Sequence, residues 1–341
     1  LPAVLLANLH ERSKKTSSYA STKIEGNLLT EDEVYRVIKN GEKKQFLKHE
    51  QEVYNYYQAI NFLEKQAQKD VPFSIPLLLE TQAIVQKGSS EEKIGLRKQM
   101  PPGVLFAVYD SISGVPDYIP PEHSDIEMLL NELVNYVNST DDHPLIVAAT
   151  VHYQLVTIHP FEDGNGRTAR LISSYILTTS GFGFNGIGSL EEYFAYDIDE
   201  YYSSIQMNLP ALYYSGRNNP PHSEIWYTYF LRTVLLYSNK VRDIVKEEYT
   251  DILAPSISKL NWKEKSLLKF ILENYRYEFT PIDLSEHFSV TNKTIINRLA
   301  NLVENNFVIP QLVNERIRKY NLSEFSKENA KKLIPLLQNN L

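Results

Sequence analysis

His159-Pro160-Phe161-Glu162-Asp163-Gly164-Asn165-Gly166-Arg167-Thr168-Ala169-Arg170 is a polar loop that runs into a helix. Two glycines let the backbone approach a ligand closely and adopt angles that other residues avoid. The amides at the start of the following helix point outward, and the helix dipole favours an anion there. Arg167 and Arg170 stand three residues apart, so they share a helix face. Two guanidiniums beside a helix start suit a polyphosphate. Asp163 supplies a hard oxygen ligand for a phosphate-bound Mg²⁺. His159, at the loop entrance, can take a proton near neutral pH. An anion cradle, a cation clamp, a metal ligand and a base make up the parts for phosphoryl-type transfer.

Each residue alone has an ordinary explanation: a turn after a helix, a Gly-Asn-Gly loop, a solvated pair of arginines. The combination points to chemistry. The loop is not a Walker A, which needs Gly-Lys-Ser/Thr after its second glycine. No strand precedes it, so it is not a dinucleotide fingerprint either.

Outward from the loop, helical periodicity dominates. Pro144 and Pro160 bracket a helix over 145–158, and another runs from near 166 to about 181. Upstream, a helix over about 14–25 stops at Gly26-Asn27. Thr30 with Glu33 reads as a capping box that opens the next helix. Further helices are expected around 45–69, 74–87 and 124–137. Val104, Phe106 and Val108 alternate, a turn follows at 110–114, and Tyr118-Ile119 precedes Pro120-Pro121, which together read as a β-hairpin. A Tyr-rich segment over 190–204 and a long stretch over 223–249 also read as helices. Ala254-Pro255-Ser256 reads as a linker.

The motif resembles the signature of the Fic family of protein AMP-transferases, His-x-Phe-x-Asp/Glu-Gly-Asn-Gly-Arg-x-x-Arg, with every defined position matched. His152-Tyr153-Gln154 and Tyr118-Ile119-Pro120-Pro121 also look typical, and the resemblance covers roughly residues 45–250. It implies a mainly α, Fic-type helical core with a β-hairpin flap. By resemblance, His159 deprotonates a Ser, Thr or Tyr hydroxyl of a protein substrate, which attacks the α-phosphate of ATP. Phe161 anchors the loop, and Asp163 holds Mg²⁺. Gly164, Asn165 and Gly166 form the anion hole, and Arg167 and Arg170 hold the β- and γ-phosphates. The hairpin aligns the target peptide. Tyr193, Tyr196 and Tyr201 are candidates for the adenine side, with the core as their alternative place.

Ser21-Thr22-Lys23-Ile24-Glu25-Gly26 resembles the family's inhibitory motif, Ser/Thr-x-x-x-Glu-Gly/Asn, through Ser21 and Glu25. A carboxylate in the last turn of a helix opposes the dipole, and an external cation would offset that. The resemblance implies that Glu25 pairs with Arg170 and displaces the γ-phosphate. The same carboxylate also suits AMP removal, and the residues do not separate the two directions.

Beyond residue 255, about 13 Lys/Arg face 9 Asp/Glu, although the whole chain carries a net charge of -7. Helices are expected over 262–275, 281–288 and 292–305, then a hairpin of 307–309 and 317–321 around Asn314-Glu315. This resembles a winged helix-turn-helix. Lys293, Asn297 and Arg298 would lie on the recognition helix, with Arg316, Arg318 and Lys319 on the wing. DNA contact and protein contact both remain open for it. The chain is thus expected to divide into an N-terminal region over 1–44 with the inhibitory helix, a catalytic core over 45–250 and a winged-helix domain over 255–341. A rival expectation is a DNA-binding regulator whose Fic core senses nucleotide. A third keeps the enzyme and changes the nucleotide donor.

With 341 residues, the chain is long enough for two or three domains. It has no cysteine, which excludes disulfide frameworks, thiol nucleophiles and cysteine zinc sites. No apolar run approaches the roughly 18 residues that span a bilayer, and no signal peptide is legible. A cytoplasmic protein without membrane contact is therefore expected. A homodimer is the default assembly.

Overall fold

The computed structural model describes residues 3–43, 45–88, 93–104, 106–109, 116–209, 220–275, 277–313 and 316–338. The chain forms two compact units, Leu1–Arg242 and Asp243–Leu341. Among the described residues no helix is long and apolar enough to cross a membrane.

The first unit is built on two helices, α6 (Pro144–Ile158) and α7 (Asn165–Thr179), packed against each other on either side of the motif loop. Pro144 starts α6 with its φ already helical, and His143 caps it by accepting from the Leu145 amide. Ala148 and Ala149 are fully buried, and their small side chains let the backbones approach closely enough for Ser173 Oγ to donate to Ala148 O at 3.0 Å. α7 is buried almost all round, from Asn165 to Leu177, which makes it the central helix of the unit.

Around this pair lie α1 (Ala3–Ile24), α2 (Glu31–Asn40), α3 (Lys48–Ala67), α4 (Ile75–Val85) and α5 (Ile126–Ser139). The capping box expected at Thr30 and Glu33 opens α2. α3 and α4 both pack on α7, α5 packs on α6, and α1 lies along α3 and α8 (Glu191–Tyr196). Strands β1 (Val108–Tyr109) and β2 (Pro116–Tyr118) pair antiparallel with Val108 opposite Tyr118. The turn at 110–114 lies outside the described residues.

Three sequence expectations change here. α1 begins eleven residues before the expected start. The Tyr-rich segment is two helices, α8 and α9 (Ile198–Gln206), because the Asp197 side chain accepts from the Glu200 amide and starts a new helix. The expected linker at 254–256 is helix: α10 spans Ser223–Ser258. Burial of Ile257 and Leu260 just beyond Pro255 carries the apolar pattern on, and that packing outweighs the cost of a helical proline.

The second unit contains α11 (Trp262–Asn274), α12 (Pro281–Phe288), α13 (Asn292–Glu304), β3 (Val308–Val313), β4 (Arg316–Leu322) and α14 (Glu324–Gln338). Leu267, Ile271, Leu284, Leu299, Phe307 and Leu333 fill its core. The three helices stand within one residue of their expected bounds, the hairpin strands run longer than the expected 307–309 and 317–321, and α14 is an addition to the expected elements. Its Leu333 and Leu337 are fully buried, worth about 1.5–3 kcal/mol each, so it is a structural part of the unit. The backbones of Phe279 and Tyr320 exchange two hydrogen bonds of 2.9 Å, extending the hairpin by one bridge.

Candidate active site

His159 ends α6 in the left-handed conformation, φ 48° and ψ 56°. A non-glycine residue there carries strain that its neighbours must offset. Arg97, itself buried, supplies the support. Its Nε donates to His159 O at 2.9 Å, its guanidinium also donates to Pro121 O, and its amide donates to Pro160 O at 2.8 Å. The imidazole Nδ1 stands 3.3 Å from Val156 O. That carbonyl can only accept, so Nδ1 carries the proton and Nε2 keeps its lone pair. Burial lowers the His159 pKa to about 4, so the ring is neutral at physiological pH. The flap closes over it through Phe106 and Tyr118, whose rings lie 6.1 and 6.5 Å from the imidazole.

Phe161 is buried and holds the loop in the core, where its backbone bridges Leu96. Asn165 braces the loop from inside. Its Oδ1 accepts from the Phe161 amide at 3.0 Å and its Nδ2 donates to Phe161 O at 2.9 Å. Gly164 has φ 85°, and a Cβ there would meet Gln86 Nε2 at 2.7 Å, so only glycine fits.

Asp163 lies between two cations, with Arg167 Nη2 at 2.8 Å and Lys93 Nζ at 3.0 Å. Burial works against its charge, but Arg167, Lys93 and the Gly164 amide outweigh that and lower its pKa. The sequence reading missed Lys93. Gln82, fully buried on α4, places it by donating to both Lys93 O and Asp163 O. Among the described residues no group of three or more His, Asp or Glu side chains could hold a metal ion. A cation at Asp163 would therefore take most of its ligands from a polyphosphate and water, which is how Mg²⁺ binds beside phosphates.

Arg170 is 1% exposed, and α1 together with the residue that follows it supplies most of its partners. Its Nε donates to Ser21 Oγ at 2.8 Å, and its Nη2 donates to Ser21 O at 3.0 Å and to Glu25 Oε1 at 2.6 Å. Burial opposes the Arg170 charge, and Glu25 beside it more than restores it, raising its pKa. Glu25 Oε1 also lies against Gly166, close enough that an added Cβ would overlap it. The carboxylate thus occupies the helix start where an anion would bind. Glu25, paired with Arg170 by resemblance in the sequence, meets it directly in space, and Ser21 of the same motif does so too.

Glu25, His159, Gly166, Arg170, Tyr201 and Tyr202 line one cavity of about 200 Å³. Tyr201 receives Arg170 Nη1 at 3.4 Å and bonds His152 Nε2 at 2.8 Å. His152 is fully buried, and desolvation lowers its pKa well below the ordinary value. Of the other tyrosine candidates, Tyr196 is 92% exposed and Tyr193 bonds Leu236 O, and neither lines the cavity. Tyr202, which does, was not singled out. It follows Tyr201 in α9, and only the placement of that helix reveals it.

Residues 72–177 match the sequence model of the Fic/DOC family. A protein adenylyltransferase Fic from Nematostella vectensis is 48% identical over 71 residues, 20% of this chain and 17% of that protein. Its counterpart from Aedes aegypti is 42% identical over 71 residues, 20% of this chain and 14% of that protein. These matches thus span about a sixth of the length of the curated relatives. A Fic family protein from Desulfovibrio desulfuricans G20 superposes with a TM-score of 0.56 at 20% identity, over 93% of this chain and 88% of its own. Residues 134–508 of Fic-1 from C. elegans superpose with a TM-score of 0.52 at 22% identity, over 71% of this chain and 68% of that one. At these identities the superpositions establish a common fold.

Proposed function

We propose that this chain, whose residues 72–177 match the Fic/DOC family, transfers AMP from ATP to a Ser, Thr or Tyr hydroxyl of a protein, under restraint by Glu25. The observation that carries the reading is a neutral His159 and the Arg170 clamp on one cavity, joined by the Gly164–Gly166 cradle. His159 Nε2 takes the proton of the target hydroxyl. The hydroxyl oxygen bonds to the α-phosphorus, and the bond from that phosphorus to the bridging oxygen breaks. Pyrophosphate leaves. The amides opening α7 stabilise the charge that develops on the phosphoryl oxygens. Arg170 and Arg167 hold the outer phosphates. Asp163 is the residue that would hold Mg²⁺, which would neutralise phosphate charge when bound. The relatives' designation as protein adenylyltransferases supports the reaction.

In the resting state Glu25 competes with the γ-phosphate for Arg170. ATP that binds against this carboxylate is displaced from in-line geometry. AMP removal is the second reading, favoured by Glu25 and His159 facing the same cavity. The C-terminal unit reads as a winged helix-turn-helix. Protein contact suits it better than DNA contact. Lys319 is paired with Glu278, and Ile296 on α13 is 44% exposed beside Asn297. Arg316 and Arg318 have side chains outside the described set.

The test is incubation of wild type, Glu25→Gly and Glu25→Gly/His159→Ala with Mg²⁺, α-labelled ATP and cell lysate. Protein label in the Glu25→Gly lane, absent from the double variant, is expected. Label that persists without His159 would overturn the assignment of the base. Loss of label from premodified protein would establish AMP removal instead.

A further inference from the structure

α1 presents Ser13, Ser17 and Ser21 to the core at intervals of one helical turn, in line with Glu25. All three serines are buried, and each hydroxyl meets a different partner. Ser13 Oγ accepts from the Gly188 amide at 2.7 Å, Ser17 Oγ donates to Glu191 Oε2 at 2.9 Å, and Ser21 Oγ accepts from Arg170 Nε at 2.8 Å. Glu191 is 4% exposed and takes no part in the proposed chemistry. Its carboxylate accepts from four hydroxyls on four segments: Ser17 on α1, Tyr56 on α3 at 3.1 Å, Ser174 on α7 at 3.5 Å and Ser189 at 3.0 Å. The buried carboxylate therefore ties four segments of the unit together. Through Ser17 it fastens α1 one turn from Ser21.

The geometry points to Glu191 as a positioning residue for the brake: it fixes α1 through Ser17, one turn from Ser21 and two from Glu25, so that Glu25 meets Arg170. This rests on the proposed reaction only where activity is the readout. A shift of α1 against α8 would release Glu25, and the Ser17–Glu191 contact opposes that shift. A hydrogen bond to a buried charge changes such an equilibrium by roughly tenfold or more.

The test combines Ser17→Ala and Glu191→Gln, each alone and with Glu25→Gly, in the full chain. Ser17→Ala removes one hydroxyl and leaves the core carboxylate with three donors, so it keeps the proposal testable if Glu191→Gln folds poorly. AMP transfer by Ser17→Ala is expected to rise about tenfold over wild type. In the Glu25→Gly background the same change should have no further effect, because the brake it acts through is gone. Hydrogen–deuterium exchange of residues 17–24 should rise by a similar factor, with residues 165–179 unchanged. Glu191→Gln should fall between wild type and Ser17→Ala. Unchanged exchange in α1 would overturn the proposal. So would raised exchange without raised transfer, or an equal gain in both backgrounds. If Glu25→Gly itself transfers nothing, the reaction assignment fails, and the exchange measurement alone decides whether Glu191 fastens α1.

Discussion

Replacing Glu25 with glycine removes the one carboxylate that, among the described residues, pairs with Arg170. The pair is short, 2.6 Å, with Arg170 at 1% and Glu25 at 33% side-chain exposure. Two unit charges at contact attract by about 4 kcal/mol at an effective dielectric near 20. Solvent reaching Glu25 and the cost of desolvating Arg170 reduce this to about 1–3 kcal/mol. That is roughly 5- to 150-fold in the competition between Glu25 and a γ-phosphate. The glycine also clears the space beside Gly166 that the carboxylate fills. Arg170 is not left bare, because Ser21 Oγ and Ser21 O remain within 3.0 Å. Stability should therefore fall less than the 3–5 kcal/mol typical of a broken buried pair. The assay is the initial rate of protein labelling from α-labelled ATP at saturating Mg²⁺, with melting temperature measured in parallel. A rate equal to wild type, with ATP bound and the fold intact, would refute the competition.

At pH 7, His159→Ala should cut transfer by about 10²- to 10⁴-fold with the melting temperature unchanged. Because burial holds the His159 pKa at about 4, transfer by wild type should show no loss of base between pH 8 and 5, and a steady-state pH profile with an acid limb near 6.5 would contradict that. The linkage has a definite sign. An unfolded chain binds a proton near pH 6.5 that the folded His159 refuses until about 4, so this contribution is complete above 6.5 and is lost as pH falls toward 4. Thermal melts of wild type against His159→Ala at pH 7 and 5 measure the difference. Asn165→Ala breaks both contacts to Phe161, so differential scanning calorimetry should show about 1–3 kcal/mol of lost stability, and labelling should fall at least tenfold. Gly164→Ala forces a side chain into a left-handed conformation against Gln86. A loss of about 1–3 kcal/mol and weaker binding of a fluorescent ATP analogue are expected.

The motif loop was legible because its chemistry is local. Glycines, a loop-ending helix and two arginines three residues apart place themselves. The α6 and α7 bounds followed from Pro144, Pro160 and the glycines for the same reason. What stayed hidden depends on distance along the chain. Nothing near Lys93 announces that Gln82 brings it to Asp163, 70 residues away. Glu191 looks like an ordinary first-turn acid of a short helix until Ser17 is seen facing it. The serine spacing was present in the sequence, but serines at helical spacing ordinarily face water, and only the burial of α1 makes them a ladder. Pro255 misled because local propensity was weighed without the packing of Ile257.

The reaction itself is tested most directly by where a label ends. Glu25→Gly, Mg²⁺ and the lysate are incubated with ATP labelled on the α-phosphate or, separately, on the γ-phosphate, and the modified side chain is located by mass spectrometry. The α-label should stay on a Ser, Thr or Tyr hydroxyl as AMP while the γ-label leaves with pyrophosphate. Retention of the γ-label on protein, or release of both labels as free nucleotide, would contradict AMP transfer.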